Sequence, residues 1–171
     1  VIVHCCTVKA VAVEIAKGLD ADLELITAGA LLHDIGRARD NTAMHANVGA
    51  DMAETLGLPE ELVSIIRKHM GAGIDDLDAA EMGLPKGDYI PRTLEEKIVA
   101  HADNFVSDDK ITSHMHTVDK LRMKGSHRGA ERIEALHREL SEMYGKDLDE
   151  VVISLKGALA LTRLCVALGR E

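Results

Sequence analysis

The residues with the most chemistry in this chain are four histidines and two aspartates: His4, His33, Asp34, His45, His69 and Asp103. His4, His45 and His69 each fall on the apolar stripe of a different predicted helix, while His33 and Asp34 stand together at a helix end. Taken one at a time, each histidine reads as a core residue with a satisfied hydrogen bond. Together they read differently, because several imidazoles and two carboxylates buried in one small helical core are costly unless they pair or coordinate a cation. Neutral imidazoles supply lone pairs, and the aspartates offset charge. Such a mixed set suits divalent Fe, Mn, Zn, Co or Ni rather than Ca, which takes oxygen ligands. Asp34 has two carboxylate oxygens and can bridge two ions, and the negative end of its helix also favours a cation there.

Positioning these residues requires a set of helices, and the hydrophobic pattern supplies it. His4, Val8, Val11 and Ile15 share a face of a first helix that ends near Gly18. A second runs from about Asp22 to Arg37, with the dense apolar stretch Leu25 to Leu32 at the bundle centre and Gly36 as its C-terminal cap. A third covers about Ala43 to Leu56. Gly57 and Pro59 separate it from a fourth, in which Leu62, Ile65, Ile66 and His69 share a face. Gly71 to Thr93 reads as a structured loop around a short helix near Asp75 to Met82. A helix from about Leu94 to Ser107 then sets Asp103 on the stripe of Val99 and Val106. Asp108 to Gly129 is polar and weakly periodic, either a lid or a solvated excursion. Two helices, about Ala130 to Met143 and Leu148 to Leu168, close the chain, the last apolar enough for a buried element or a dimer surface.

The composition agrees with an all-α, single-domain helical bundle. Among 171 residues there is one Phe, two Tyr and no Trp, against nine histidines, so the core must be filled by Ala, Leu, Ile, Val and Met. The net charge of −9 argues against a general nucleic-acid surface. No run approaches the roughly 18 apolar residues of a membrane span, and no signal peptide is evident. Three cysteines, two of them the adjacent Cys5 and Cys6, make no disulfide framework and fit a reducing, cytoplasmic setting. The chain opens on Val rather than Met, as a fragment would.

His4, the run Ala30-Leu31-Leu32-His33-Asp34-Ile35-Gly36 and Asp103 resemble the H…HD…D signature of the HD-domain metal-dependent phosphohydrolases. His45 and His69 resemble the further ligands of the two-metal subset, which includes hydrolases of symmetric dinucleoside tetraphosphates and cyclic-dinucleotide phosphodiesterases. The pattern is similar to a small archaeal HD-domain group of unassigned activity. The resemblance covers about residues 4 to 107, leaving 108 to 171 as a helical extension of the same domain. It implies His33 and Asp34 at the catalytic centre. One ion would lie on His4, His33, Asp34 and Asp103, a second on Asp34, His45 and His69, with Fe or Mn favoured and Zn, Co, Ni or Mg allowed.

The activity so implied is hydrolysis, by metal-activated water, of a phosphomonoester, phosphodiester or phosphoanhydride in a small substrate such as a nucleotide or dinucleotide. The expected partners are that substrate and, through the last helix, a second copy of the chain, but not nucleic acid in general or a membrane. The alternatives are a di-iron oxygenase of HD type and a non-catalytic, metal-stabilised sensing or dimerisation domain. Arg37 is the candidate for gripping a phosphate. Lys68, Arg92, Lys124 and Arg128 are weaker candidates that also read as ordinary surface charge. His101 reads as a substrate contact, a support for Asp103 or a plain core residue. His114 and His116 could form a metal-binding pair on an extended segment but, without further clustered ligands, read as part of a solvated loop, and His127 and His137 read as surface residues. For stacking a base, only Tyr89, Phe105 and Tyr144 are candidates.

Overall fold

The computed structural model describes residues 1–156 of the chain. Helices dominate: α1 Ile2–Ala16, α2 Leu23–Leu32, α3 His45–Thr55, α4 Glu60–Lys68, α5 Asp76–Glu81, α6 Leu94–Asn104, α7 His114–Met123 and α8 His127–Tyr144, with α9 starting at 148. Their ends follow local chemistry. Asp22 caps α2 by accepting from the backbone of Glu24 and Leu25, Ser113 caps α7, and Thr93 and Glu96 form a reciprocal capping box on α6. Gly145 ends α8 in the left-handed conformation at φ 80°.

α1, α2 and α6 pack on one another, with α4 and α8 closing around α6, α3 lying on α4 and α7 on α8. The main core joins Val8, Val11 and Ile15 of α1 to Ile26, Ile65, Ile98, Val99, Phe105, Ile133, Leu140, Leu148 and Val152. This is the aliphatic, helical core that the scarcity of rings implies. Phe105 is fully buried in it, and Tyr89 is buried in a small separate cluster with Ile74 and Ala79. Tyr144 packs where Gly18 leaves room, since a Cβ there would meet its ring.

Three elements depart from the sequence reading. α2 stops at Leu32 and a 3-10 turn, Ile35–Ala38, takes over. Gly36 in that turn is not a left-handed cap; it is buried where a Cβ would strike the backbone of α3. After α6 the chain forms a short antiparallel hairpin, β1 Val106–Ser107 with β2 Lys110–Ile111, in place of the expected continuation of the helix to Ser107. The segment read as polar excursion contains α7, and α8 begins three residues before Ala130. The apolar last helix, as a core element or dimer surface, lies beyond 156 for most of its length and so outside the described residues. Among the described residues no helix is long and apolar enough to cross a membrane.

Candidate metal centre

Each of the six residues arrives from a different structural position. His4 lies in the first turn of α1, His33 caps the C-terminus of α2, and Asp34 opens the 3-10 turn. His45 is the first residue of α3, His69 caps the C-terminus of α4, and Asp103 is in the last turn of α6. Helix ends leave carbonyls unpaired, and His33 and His69 exploit this. His33 Nδ1 lies 2.8 Å from Ala30 O and His69 Nδ1 2.7 Å from Ile66 O, each three residues back, and His45 Nδ1 is 2.6 Å from Thr42 O. His4 instead reaches Asp108 O at 2.7 Å. Asp108 has φ 58°, the left-handed turn of the β1–β2 hairpin, so this unexpected hairpin orients the first histidine.

A carbonyl oxygen can only accept, so in all four rings Nδ1 carries the proton, and the neutral ring then has its lone pair on Nε2. The four Nε2 atoms converge. His33 and His4 face each other at 3.3 Å and His45 and His69 at 3.2 Å. Two lone pairs at that distance repel unless a proton or a cation lies between them. Asp103 Oδ1 is 3.0 Å from His4 Nε2 and 3.7 Å from His33 Nε2. Asp34 divides its oxygens: Oδ1 is 3.2 Å from His45 Nε2 and 3.7 Å from His69 Nε2, while Oδ2 is 3.9 Å from His33 Nε2 and 4.0 Å from His4 Nε2. The donor set fits divalent transition metal in two lobes joined by Asp34.

The electrostatics are those of a cation site. Burial, with His33 beside it, pushes the His69 imidazole down to about 3, so its lone pair is free at neutral pH. Burial would raise the Asp34 carboxyl, but His45, His33 and His69, each able to take a second proton and bear charge towards it, and Arg37 beside it hold it far below the usual carboxylate range. Asp103 is likewise lowered, against its burial, by His4 and His33. For His4 burial acts downward but is outweighed by its bond to Asp103, which raises the ring. Burial beside Asp34 lifts the Cys5 thiol to about 11, so it is an inert core residue rather than a soft ligand.

The cluster forms the floor of an open cavity of about 440 Å³. Arg37, Lys120 and Lys124 stand on its lining, as do Asn104 and Thr117. Arg37 spends its Nε on Asp34 Oδ1 at 2.7 Å. Asn104, which has no signature of its own in the sequence beyond following Asp103, is buried and donates to Gly71 O at 2.8 Å, tying the α4–α5 loop to α6. Lys68 and His101 are not brought to this cavity. Lys68 pairs with Glu96 at 3.1 Å, and His101 is fully buried on the other side of α6, with Nε2 3.0 Å from His137 Nδ1. Arg92 pairs with Asp88, and Arg128 with Asp78 and Glu81. Contrary to the sequence reading, His114 and His137 are buried, His114 at the start of a helix rather than in a solvated loop. Burial lowers both His101 and His137, so these rings are neutral at pH 7. None of the three aromatic residues lines the cavity.

The family model that describes the HD domain matches residues 1–108. The chain belongs to the HD-domain family. Among curated proteins, this chain is 49% identical over 148 residues to a protein of Thermoplasma volcanium named tRNA (cytidine(56)-2'-O)-methyltransferase, covering 86% of this chain and 44% of the relative. A protein of Picrophilus torridus with the same name is 45% identical over 155 residues, covering 91% of this chain and 46% of the relative. An uncharacterised protein of Methanocaldococcus jannaschii is 42% identical over 150 residues, covering 84% of this chain and 89% of the relative. The chain thus spans less than half the length of the two named methyltransferases. No solved structure matches it.

These relatives correct the functional expectation. The two names describe methyl transfer to a ribose oxygen of tRNA, not hydrolysis of a phosphate bond in a nucleotide or dinucleotide, so the phosphohydrolase reading is set aside. The expected partners change with it: the substrate in those names is a nucleic acid, not a small phosphorylated compound. The physical reason for the error is that a His–Asp donor set specifies a cation, while the reaction beside that cation is decided by what the rest of the protein brings to it.

Proposed function

We propose that this chain is the HD-domain part of a tRNA-modifying protein, and that its role is to engage tRNA next to a bound metal centre during 2'-O-methylation. The observation that carries this reading is the similarity to two proteins named for methylation of tRNA cytidine 56, extending over 86% and 91% of this chain and so well past the residues of the HD signature. His4, His33, Asp34 and Asp103 would hold one divalent ion and Asp34, His45 and His69 a second, with iron or manganese the favoured metals. When bound, the ions supply positive charge at the cavity floor. The chain's own contribution is positioning: the four carbonyl-anchored imidazoles fix the floor, Arg37 braces Asp34, and Lys120 and Lys124 on the cavity lining would pair with a phosphate backbone. A cytoplasmic location follows from a tRNA substrate.

The test is binding of a tRNA transcript to the full chain across a salt series. Lys120→Ala with Lys124→Ala is expected to weaken binding and to reduce the slope of log affinity against log salt by about two, one for each lysine–phosphate pair removed. Binding that is absent from the metal-loaded parent, or a slope unchanged in the double variant, would refute the assignment.

A further inference from the structure

A second cavity, of about 620 Å³, lies beside the one floored by the metal centre. The two share Met70, Gly71, Leu121 and Lys124 in their linings, so a single ridge, made by the α4–α5 loop and the end of α7, separates them. That ridge is held from both sides. Asn104, next to Asp103, donates to Gly71 O at 2.8 Å. Arg132 Nε donates to Gly73 O at 3.1 Å, and its Nη1 pairs with Asp75 at 2.6 Å. At Gly73, with φ 90°, the loop passes so close to its neighbours that a Cβ would lie 2.7 Å from Pro91 Cδ. The wall of the second cavity is therefore preformed. Its buried apolar lining is Ala72 and Ile74, and the side chains of Met70, Met82 and Leu121 stand further out. Asp78 and Glu81, the acids of this lining, are taken up by Arg128 and Arg132. Lys124 remains as a lining cation without an ion-pair partner among the described residues.

We propose that this second cavity receives one unstacked base of a bound RNA strand, whose backbone crosses the ridge at Lys124. The proposal rests on the tRNA reading and adds which part of the RNA the chain recognises. A preformed pocket with apolar walls and a few placed polar groups is the kind that encloses a small organic group, and about 620 Å³ holds a base with its ribose. RNA is read chiefly where bases are splayed out of the helix, and a base taken out of its stack is held between aromatic or apolar side chains. No Phe, Tyr or Trp lines this cavity. Its walls are two thioethers and a leucine, and methionine both adapts to an irregular shape and makes favourable sulfur contacts with aromatic rings. A strand rather than a free nucleoside is favoured by the charge. Lys124 lines both cavities, whereas Arg37 and Lys120 line only the metal-floored one. Phosphates on one side of the ridge therefore meet Arg37 and Lys120, the phosphate at the crossing meets Lys124, and the base beyond it turns into the apolar pocket. The first group of contacts weakens with salt; the enclosed base adds a contribution that does not depend on charge.

The test uses the full chain and two short single-stranded RNAs of equal length, one carrying a central 2-aminopurine and the other an abasic residue at that position. The parent is expected to bind the base-containing RNA about tenfold more tightly, the scale of one enclosed base. The 2-aminopurine emission, quenched by stacking on its neighbours, should rise on binding, because no aromatic residue of the pocket replaces them. Met70→Ala and Met82→Ser should each bring the two affinities closer together and reduce the rise in emission. Met82 is 43% exposed, so Met82→Ser reports even where Met70→Ala fails to fold. Leu77→Ala, on α5 but off the lining, should keep the parent's preference. Equal binding of both RNAs by the parent, or an undiminished preference in Met82→Ser, overturns the pocket and leaves the tRNA reading standing, since that is judged by the salt dependence at Lys120 and Lys124. Failure to bind either RNA overturns the pocket as well, and failure to bind the tRNA transcript separately refutes the tRNA reading.

Discussion

Gly36→Ala tests whether the 3-10 turn is set by close packing against α3. The ideal Cβ at residue 36 would lie 1.9 Å from His45 O and 2.6 Å from Gly49 N, against an ordinary contact of 3.4–4 Å. Both neighbours are backbone atoms and cannot rotate away, so the turn and α3 must separate by about 1.5 Å. Overpacking of this kind costs about 3 kcal/mol, which for a domain of this size lowers the melting temperature by on the order of 10 °C. The same separation acts on the 3.2 Å approach of His45 Nε2 to Asp34 Oδ1, so the lobe made by His45 and His69 should lose metal first. Thermal melting followed by circular dichroism and elemental analysis after dialysis read the two effects together. Gly145→Ala is the control: its φ is +80° and nothing lies within 4 Å of a Cβ there. It should cost about 1 kcal/mol through backbone strain alone and leave metal content unchanged. A Gly36→Ala protein melting within about 2 °C of the parent, with full metal content, would refute the packing argument.

Asp34→Asn and His69→Ala separate the two lobes. Asp34 touches both, so Asp34→Asn should strip metal from both, whereas His69→Ala should spare the ion on His4, His33 and Asp103; equal losses in elemental analysis would contradict the division of the Asp34 oxygens. Glu96 supplies a pH test. Its buried carboxylate accepts from Ser64 Oγ at 2.5 Å, Arg92 N at 2.6 Å, Lys68 Nζ at 3.1 Å and Thr93 N at 3.1 Å. Burial would raise this carboxyl, but those donors bring it below 4.5. A depressed folded-state value means that the stabilisation is complete above the unfolded value and is lost as pH falls through the folded one. Glu96→Gln should therefore cost about 2 kcal/mol in urea denaturation at pH 7 and less near pH 3. A deficit of the same size at both pH values would show that the charge on Glu96 is not what its four donors stabilise.

The helical scaffold and the ligand order were legible because period and residue type carried them. The stripe through His4, Val8 and Ile15 and the run ending in His33-Asp34 each state a face or an end of a helix, and the convergence of their Nε2 atoms follows once the helices pack. Other features depend on pairs of segments. A two-residue strand has no alternation to detect, so the hairpin that carries Asp108 O to His4 left no signal. Gly36 looks like a cap from its place after an apolar run, and only the position of α3 reveals it as a point of close approach. His114 and His137 lie on helices whose local patterns are polar, and what buries them is each other, Phe105 and His101. The reaction was least legible, since the same donors serve many chemistries.

The net charge of −9 is a sum over the whole chain, whereas the proposed tRNA contact depends on the charge at one face. Asp75, Asp78 and Glu81 are taken up by Arg128 and Arg132 at the edge of a neighbouring cavity. Asp34 and Asp103, the two acids of the first cavity, turn inward to the imidazoles. The basic side chains that line that cavity are Arg37, Lys120 and Lys124. A divalent ion outweighs a carboxylate two to one, so a loaded floor would be positive as well, within the screening length of about 8 Å that limits electrostatic reach at physiological salt. A polyanion approaching this face would meet that local field.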